Sequence, residues 1–222
     1  MKGATLAESP TAKLRAETPG EEIANIISHG VGLVASILAL PILTTAALAK
    51  GETAQVVGVI VFATTMILLY LASTLYHALP AGRAKRFFRI VDHSAIYLFI
   101  AGSYTPFMIG VLRGDTGWAL LGAIWTLAIM GVAWKASGIR THPKWSTGLY
   151  LAMGWLILLA AVPLVRQMPT IGLVWLVAGG VAYTSGVGFF TATNLRYGHF
   201  VWHLFVLAGS ACHTVAVLHY ST

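Results

Sequence analysis

The chain has 222 residues, of which 57% are hydrophobic and only 9% are charged, with a formal net charge of +7. About a quarter of the residues in a soluble domain are charged, so this composition excludes a soluble globular protein, and it excludes intrinsic disorder because disordered chains are polar. The single cysteine, Cys212, excludes an intramolecular disulfide and a cysteine zinc cluster. The composition therefore predicts one integral membrane domain.

Apolar segments long enough to cross a bilayer recur along the chain. A membrane helix must span about 30 Å at 1.5 Å per residue, and it therefore needs about 20 apolar residues. Seven stretches lack Asp, Glu, Lys and Arg over such a length, namely 23–49, 53–82, 93–112, 116–134, 145–165, 167–195 and 197–222. None alternates polar and apolar residues as the strands of a membrane barrel do.

These stretches predict an all-α bundle of seven transmembrane helices over residues 23–222. Residues 1–22 are polar, and they have no apolar core followed by a small-residue cleavage site, so no signal peptide is expected there. We interpret them as a short cytoplasmic tail. Pro41, Pro106 and Pro163 lie within spans, where they are expected to kink the helices.

The distribution of basic residues predicts the orientation of the bundle, because cytoplasmic segments are enriched in Lys and Arg. If the N-terminus is cytoplasmic, the outer segments hold only Lys50, Arg113 and Arg166. The inner segments then hold Lys2, Lys13, Arg15, Arg83, Lys85, Arg86, Arg89, Lys135, Arg140, Lys144 and Arg196. This bias predicts a cytoplasmic N-terminus and an external C-terminus. Nucleic-acid binding would need a soluble basic face, and none is visible.

Polar side chains gather at the predicted inner ends of three spans. Ser73 and His77 lie in the last turns of the second span, Asp92 begins the third, and His199 and His203 lie in the first turns of the seventh. Polar groups within membrane spans are costly and therefore indicate function by default. The orientation was inferred from Lys and Arg alone, yet it places these five residues at one depth.

Their types and spacing are compatible with a metal site. Two His residues at i, i+4 point the same way, about 6 Å apart along the helix axis, and a third from another helix would complete a three-His set. Three protein ligands and a water are typical of catalytic zinc, whose water is acidic enough to supply hydroxide. Asp92 would orient or deprotonate that water, and Ser73 would donate a hydrogen bond.

Each residue also has a simpler interpretation. The histidines could be packed or hydrogen-bonded between helices. Asp92 could cap the N-terminus of the third span or pair with Arg89, and Ser73 could bond to a backbone carbonyl. The residues alone leave the metal site and these structural roles open.

Three blocks of the chain resemble the hemolysin III family, also called TrhA, the bacterial branch of the PAQR (progestin and adipoQ receptor) proteins. They read EEIANIISHG, STLYHALPAGRAKRFFRIVDHSAIYLFIAGSYTPF and GHFVWHLFVLAGSACH. The polar residues that match the family's pattern are Glu22, Asn25, His29, Ser73, His77, Asp92, His199 and His203. The span count, orientation and lengths agree from end to end.

The resemblance implies a Zn²⁺ ion bound by His77, His199 and His203, with Asp92 and Ser73 beside the zinc-bound water. More distantly, the pattern is similar to that of alkaline ceramidases, which hydrolyse a lipid amide. It therefore implies zinc-dependent hydrolysis of a membrane-lipid amide or ester in the bacterial plasma membrane, with Asp92 as general base and membrane lipids as partners. The alternatives are a sensor of membrane state with structural zinc, and a pore-forming cytolysin, as the family name suggests.

Other polar residues receive structural interpretations. Glu22, Asn25 and His29 lie within about 60° on one helix face and are interpreted as a structural polar cluster near the inner end. A role in supporting the zinc ligands is left open for them, and a catalytic role is disfavoured. His93 should not share the face of Asp92. His213 lies some 15 Å along the helix from His203, so it and His219 should not reach the metal, and His142 should be a solvated loop residue.

Overall fold

In the computed structural model, which describes residues 15–138 and 143–220, the described part of the chain is helical and contains no β-strand. The helices are α1 (Pro19–Lys50), α2 (Thr53–Ala78), α3 (Arg83–Pro106), α4 (Asp115–Ala136), α5 (Pro143–Trp155), α6 (Ala161–Gln167), α7 (Thr170–Thr191) and α8 (Gly198–Tyr220). A π-helical turn, Phe107–Val111, continues α3, and a 3₁₀ turn, Leu156–Ala160, joins α5 to α6. Of the predicted tail, only residues 15–22 fall within the described part of the chain.

The prediction of an all-α protein with seven membrane spans is confirmed. Seven helical segments of the described residues are long and apolar enough to cross a bilayer. Six of them contain α1, α2, α3, α4, α7 and α8, and the fifth in chain order, Trp145–Gln167, combines α5, the 3₁₀ turn and α6. We call the end of the bundle at which α1 begins the inner end, because the charge bias predicts that it faces the cytoplasm.

Two helices, α1 and α3, begin four or more residues before the predicted spans, because charged residues ended the apolar stretches but do not end a helix. α1 starts at Pro19, within the predicted tail, where Thr18 and Glu21 form a reciprocal capping box and Pro19 occupies the first turn. α3 starts at Arg83. Asp92 therefore lies ten residues beyond the cap, Gly82, and the interpretation of Asp92 as an N-cap is wrong.

The fifth span is interrupted where a tyrosine hydroxyl enters its backbone ladder. Tyr104 of α3 donates to the carbonyls of Met153 at 2.7 Å and Gly154 at 2.9 Å, and it accepts a hydrogen bond from the Ile157 N–H at 2.8 Å. Pro163 lacks an N–H and so cannot bond to the carbonyl four residues earlier. The hydroxyl satisfies backbone groups that a continuous helix would pair internally.

α2 and α3 form the centre of the bundle and are its most buried spans. α2 packs between α1 and α3, and α8 packs against both α1 and α7. Close approach requires glycine at Gly32, where a Cβ atom would lie 2.6 Å from the ring of Tyr70, and at Gly179, where it would lie 2.3 Å from the ring of His213. This packing brings the inner ends of α1, α2 and α8 together.

Candidate metal centre

Three imidazoles converge at the inner end of the bundle. His77 lies in the last turn of α2, and His199 and His203 lie in the first two turns of α8. One ring nitrogen from each lies within 4.8 Å of the other two. The ring centroids are 5.1 Å apart for His77 and His199, 5.2 Å for His77 and His203, and 4.6 Å for His199 and His203. α1 lies between the ends of α2 and α8 and holds them in this arrangement.

The donor set fits a metal ion. His77 and His203 are only 3% and 1% exposed, and Nε2 of His77 is buried without a hydrogen-bond partner. Ligand nitrogens around tetrahedral zinc, with bonds of about 2.0–2.1 Å, lie about 3.4 Å apart, so the observed cluster needs only small side-chain adjustments to reach that spacing. Within the described residues, this group contains three nitrogens and no fourth protein ligand.

The first helix supplies hydrogen-bond partners to two of these rings. Nδ1 of His77 lies 2.7 Å from a carboxylate oxygen of Glu22, and Nδ1 of His203 lies 3.1 Å from the Ser28 hydroxyl oxygen. The Ser28 hydroxyl donates to the Asn25 carbonyl at 3.0 Å. The sequence placed Glu22 and Asn25 in a polar cluster for which a role in supporting the metal ligands was left open, but it did not identify these individual contacts and did not single out Ser28.

A wider polar network surrounds Glu22. Its second carboxylate oxygen accepts a hydrogen bond from Lys85 at 2.7 Å, and Asn25 donates to Glu17 at 2.9 Å. Burial raises the pKa of the Glu17 carboxyl, and the positive charge that His77 can carry opposes this rise. Glu17 precedes the capping residue Thr18 and so lies outside α1. Its contact with Asn25 depends on the turn that leads into the helix, and helical spacing in the sequence could not predict that contact.

Asp92 and Ser73 lie beside the imidazole cluster. Asp92 is 7% exposed and Ser73 is 1% exposed. Both residues line a cavity that His199 and His203 also line. The structure thus brings together all five residues that the sequence placed at one depth.

A fourth imidazole lies against the cluster. His29 of α1 stacks on His203 with ring centroids 3.4 Å apart and an interplanar angle of 13°, and its other neighbour is the edge of Tyr70 at 5.0 Å. His29 is 3% exposed, and neither ring nitrogen has a hydrogen-bond partner. His29 lies closer to the three imidazoles than its helix position alone indicated.

The cavity has a volume of about 290 Å³ and extends from the imidazoles toward the middle of the bundle. Apart from Asp92 and the histidines, its walls are mainly aliphatic and aromatic side chains of α3, α5, α7 and α8. Leu158, Val165 and Val177 line it and are 61%, 62% and 55% exposed. These exposed side chains place an opening on the side of the bundle, between the fifth span and α7, where lipid would surround the protein.

The remaining histidines lie apart from the three-nitrogen group. His93 lines the cavity near Asp92, and Tyr150 donates a hydrogen bond to its backbone carbonyl at 2.8 Å. His213 lines the cavity further along α8, where Nε2 lies 3.4 Å from the Leu176 carbonyl. The side chain of His142 lies outside the described residues.

Comparisons with known proteins identify the family. Residues 18–214 match the family described as haemolysin-III related. Over 200 residues, the chain is 48% identical to "Hemolysin-3" of Bacillus cereus, covering 90% of this chain and 91% of that protein. It is 42% identical to "Hemolysin-3 homolog" of Bacillus subtilis (strain 168), covering 90% of this chain and 94% of that protein.

A more distant relative is a human protein, "Monocyte to macrophage differentiation factor", which is 29% identical over 162 residues, or 68% of this chain and 65% of that protein. The chain therefore belongs to the haemolysin-III-related family, and the predicted resemblance is confirmed.

Proposed function

We propose that this protein is a zinc-dependent hydrolase that cleaves an amide or ester bond of a membrane lipid at the inner face of the bacterial plasma membrane. One observation carries the proposal. Three imidazoles, of which those of His77 and His203 are buried, converge beside an apolar cavity whose polar lining includes Asp92 and Ser73. A lipid hydrolase needs this combination of a metal site, a carboxylate and space for alkyl chains.

His77, His199 and His203 are the proposed zinc ligands. Neutral imidazole nitrogens suit zinc, and the family resemblance points to the same metal. When bound, zinc would act as a Lewis acid on the lipid carbonyl and make a nucleophile available at neutral pH. With three protein ligands, one coordination position stays open for chemistry.

Asp92 and Ser73 are the proposed catalytic residues. Asp92 accepts a proton from the attacking water and then gives that proton to the leaving amine or alkoxide, so the carboxylate is regenerated as the acyl bond breaks. Ser73 has a hydroxyl that orients Asp92 or donates a hydrogen bond to the substrate carbonyl. Both groups are buried, so bulk water competes little with these hydrogen bonds.

The shape of the cavity suits a lipid substrate. Its apolar walls accept alkyl chains, and the opening beside Leu158, Val165 and Val177 would admit them from the bilayer. Arg83 and Arg86 lie in the first turns of α3 at the inner end, where basic side chains attract anionic head groups. A bound lipid would thus have its head group at the inner end and its alkyl chains along the cavity, toward the opening nearer the outer end of the bundle.

The hydrolase proposal is tested with purified protein in liposomes that contain ceramide-like amides or ester lipids. We expect the wild type to release fatty acid and Asp92→Asn to be slower by about 10²–10⁴-fold, because loss of a general base has effects of this size. Asp115→Asn, at the exposed start of α4, is the matched control. If the wild type and Asp92→Asn release equal amounts of fatty acid, hydrolysis of those lipids is refuted.

A non-enzymatic sensor with structural zinc is the second candidate, and His29 favours it. A structural zinc site is closed by four protein ligands, and His29 is a buried imidazole with no hydrogen-bond partner beside the cluster. His29→Ala distinguishes the two functions. A closed site would lose zinc in this variant, whereas an open, catalytic site would keep zinc bound to the other three imidazoles.

A further inference from the structure

We infer that α1 is a positioning element for the proposed metal site, and that Glu22 and Ser28 hold two of its ligand rings in the tautomer that metal binding needs. The inference rests on the proposed function, because it concerns the same three imidazoles. Neither residue belongs to the group of three imidazole nitrogens. Each acts through a histidine, Glu22 through His77 and Ser28 through His203.

The contact at His77 defines its tautomer. Its Nδ1 lies 2.7 Å from Oε2 of Glu22, and a carboxylate can only accept a hydrogen bond, so Nδ1 carries the hydrogen. The amide nitrogen of Asn25 is also a donor and lies 3.4 Å from the same Nδ1, so this contact is much the longer of the two, and the same amide donates to Glu17 at 2.9 Å. In the neutral imidazole, which is the form that binds a metal ion, Nε2 of His77 then keeps its lone pair, and this atom is buried without a hydrogen-bond partner.

The contact at His203 gives the same result by a different route. The Ser28 hydroxyl has a single hydrogen, which it donates to the carbonyl of Asn25 at 3.0 Å. Its oxygen therefore accepts at the 3.1 Å contact with His203, so Nδ1 of His203 carries the hydrogen. In the neutral ring, Nε2 of His203 is thus also an acceptor that can bind a metal ion.

These contacts also fix the orientation of the rings. Lys85 bonds to the second oxygen of Glu22 at 2.7 Å, which holds the carboxylate in place toward His77. Carboxylates and other acceptors on the distal nitrogen of a ligand imidazole orient the ring and raise its basicity, and their loss commonly lowers metal affinity by about 10–100-fold. Loss of the charged Glu22 carboxylate should therefore lower metal affinity more than loss of the neutral Ser28 hydroxyl.

The test measures Zn²⁺ affinity of the full-length protein in detergent, by competition with a chromophoric chelator, together with the absorption bands of the Co²⁺-loaded protein. We expect Glu22→Leu to weaken Zn²⁺ binding by about 10–100-fold. Glu22→Gln keeps an acceptor oxygen and should recover part of that loss. Ser28→Ala should weaken Zn²⁺ binding several-fold. The Co²⁺ absorption bands should shift in the variants at Glu22 and at Ser28, because the ring of His77 or of His203 changes its orientation.

Matched controls separate positioning from folding. Ser36→Ala removes another buried hydroxyl of α1, one that donates to the Leu33 carbonyl, and it should bind Zn²⁺ like the wild type. Thermal unfolding of each metal-free variant is measured alongside. A merely structural role for Glu22 would lower the Tm of Glu22→Leu and Glu22→Gln alike, without recovery of Zn²⁺ affinity in the Gln variant, and this result would overturn the inference.

Failure of the inference and failure of the metal site give different results. If Glu22→Leu and Ser28→Ala bind Zn²⁺ as tightly as Ser36→Ala does, the positioning role is overturned, although the three-His site stands. If the wild type binds no more Zn²⁺ than the double variant His199→Ala, His203→Ala, the metal site itself is refuted, and the positioning role falls with it.

Discussion

Glu21 accepts a hydrogen bond from the backbone N–H of Tyr197 at 2.7 Å, which links the first turn of α1 to the residue just before α8. The same carboxylate pairs with Arg15 and completes the capping box with Thr18. Tyr197 has a φ of +56°, in the left-handed region that non-glycine residues seldom adopt. Glu21 thus stabilises an unfavourable backbone conformation two residues before His199, and it fixes where α8 begins relative to α1.

Replacing Glu21 should destabilise this junction. In Glu21→Ala the Tyr197 N–H loses its acceptor, Arg15 loses its partner and α1 loses its capping box, so we expect Tm in detergent to fall by several degrees. Glu52→Ala is the matched control, because Glu52 forms an exposed ion pair with Arg113 that should add little stability. Equal Tm values for the two variants would contradict the structural role of Glu21.

The three-His cluster predicts a defined metal stoichiometry. Elemental analysis of detergent-purified wild type should give about one zinc per chain, because one ion satisfies three neutral imidazoles. The double variant His199→Ala, His203→Ala should lose the metal, since a single imidazole remains. His219→Ala, in the last turn of α8, should retain it. Equal zinc in the wild type and the double variant would refute the site.

Close packing of α7 on α8 predicts that Gly179 tolerates no side chain. A Cβ atom there would lie 2.3 Å from Cδ2 of His213, so Gly179→Ala should reduce the free energy of unfolding by about 1–3 kcal/mol, as overpacked cores do. His213→Ala should relieve part of this loss when combined with Gly179→Ala, because it removes the clashing ring. The coupling is measured as a double-mutant cycle of unfolding in mixed micelles.

Gly188 provides the control on the same helix. A Cβ atom at Gly188 has no atom within 4 Å, so Gly188→Ala should stabilise α7 by roughly 0.5–1 kcal/mol through lower backbone entropy in the unfolded chain. Changes of opposite sign in the free energy of unfolding for Gly179→Ala and Gly188→Ala would distinguish close helix packing from a general intolerance of alanine in α7. Equal effects at both positions would show that α7 and α8 are further apart than described.

The hydroxyl of Tyr104 should stabilise the interrupted fifth span. Tyr104→Phe leaves the Ile157 N–H without its acceptor, and we expect a loss of about 1–3 kcal/mol, the usual cost of a buried unpaired group. Tyr97→Phe is the comparison, because the Tyr97 hydroxyl contacts a side chain of the fifth span, the Ser146 hydroxyl at 3.1 Å. A smaller loss for Tyr104→Phe than for Tyr97→Phe would contradict this account of the break.

The side opening of the cavity predicts different effects for two neighbouring valines of α6. Val165 lines the cavity and is 62% exposed, whereas Val162 is 63% exposed and lies outside the lining. If lipid enters there, Val165→Trp should raise KM for a lipid substrate several-fold while zinc content stays constant, because the indole narrows the opening. Val162→Trp should leave KM unchanged, and an equal rise in both variants would locate lipid access elsewhere.

Much of the architecture was predictable from the sequence because the bilayer imposes a simple rule. Hydrocarbon thickness sets the length of each apolar stretch, and charges mark the ends of the spans, so the number of spans was correct. The starts of α1 and α3 were placed too late, because Glu21, Glu22 and the basic residues after Gly82 are compatible with helix although they are unfavourable in lipid.

The sequence by itself determined the depth of the candidate site. Spacing and span direction are properties of single helices, and they put His77, His199 and His203 at the same level. The tertiary structure alone decided which atoms meet: Glu22 with His77, Ser28 with His203, and the ring of His29 on that of His203. Such contacts depend on how each helix is rotated and how closely it packs against its neighbours, and residues far apart in the chain carry no local signal of either.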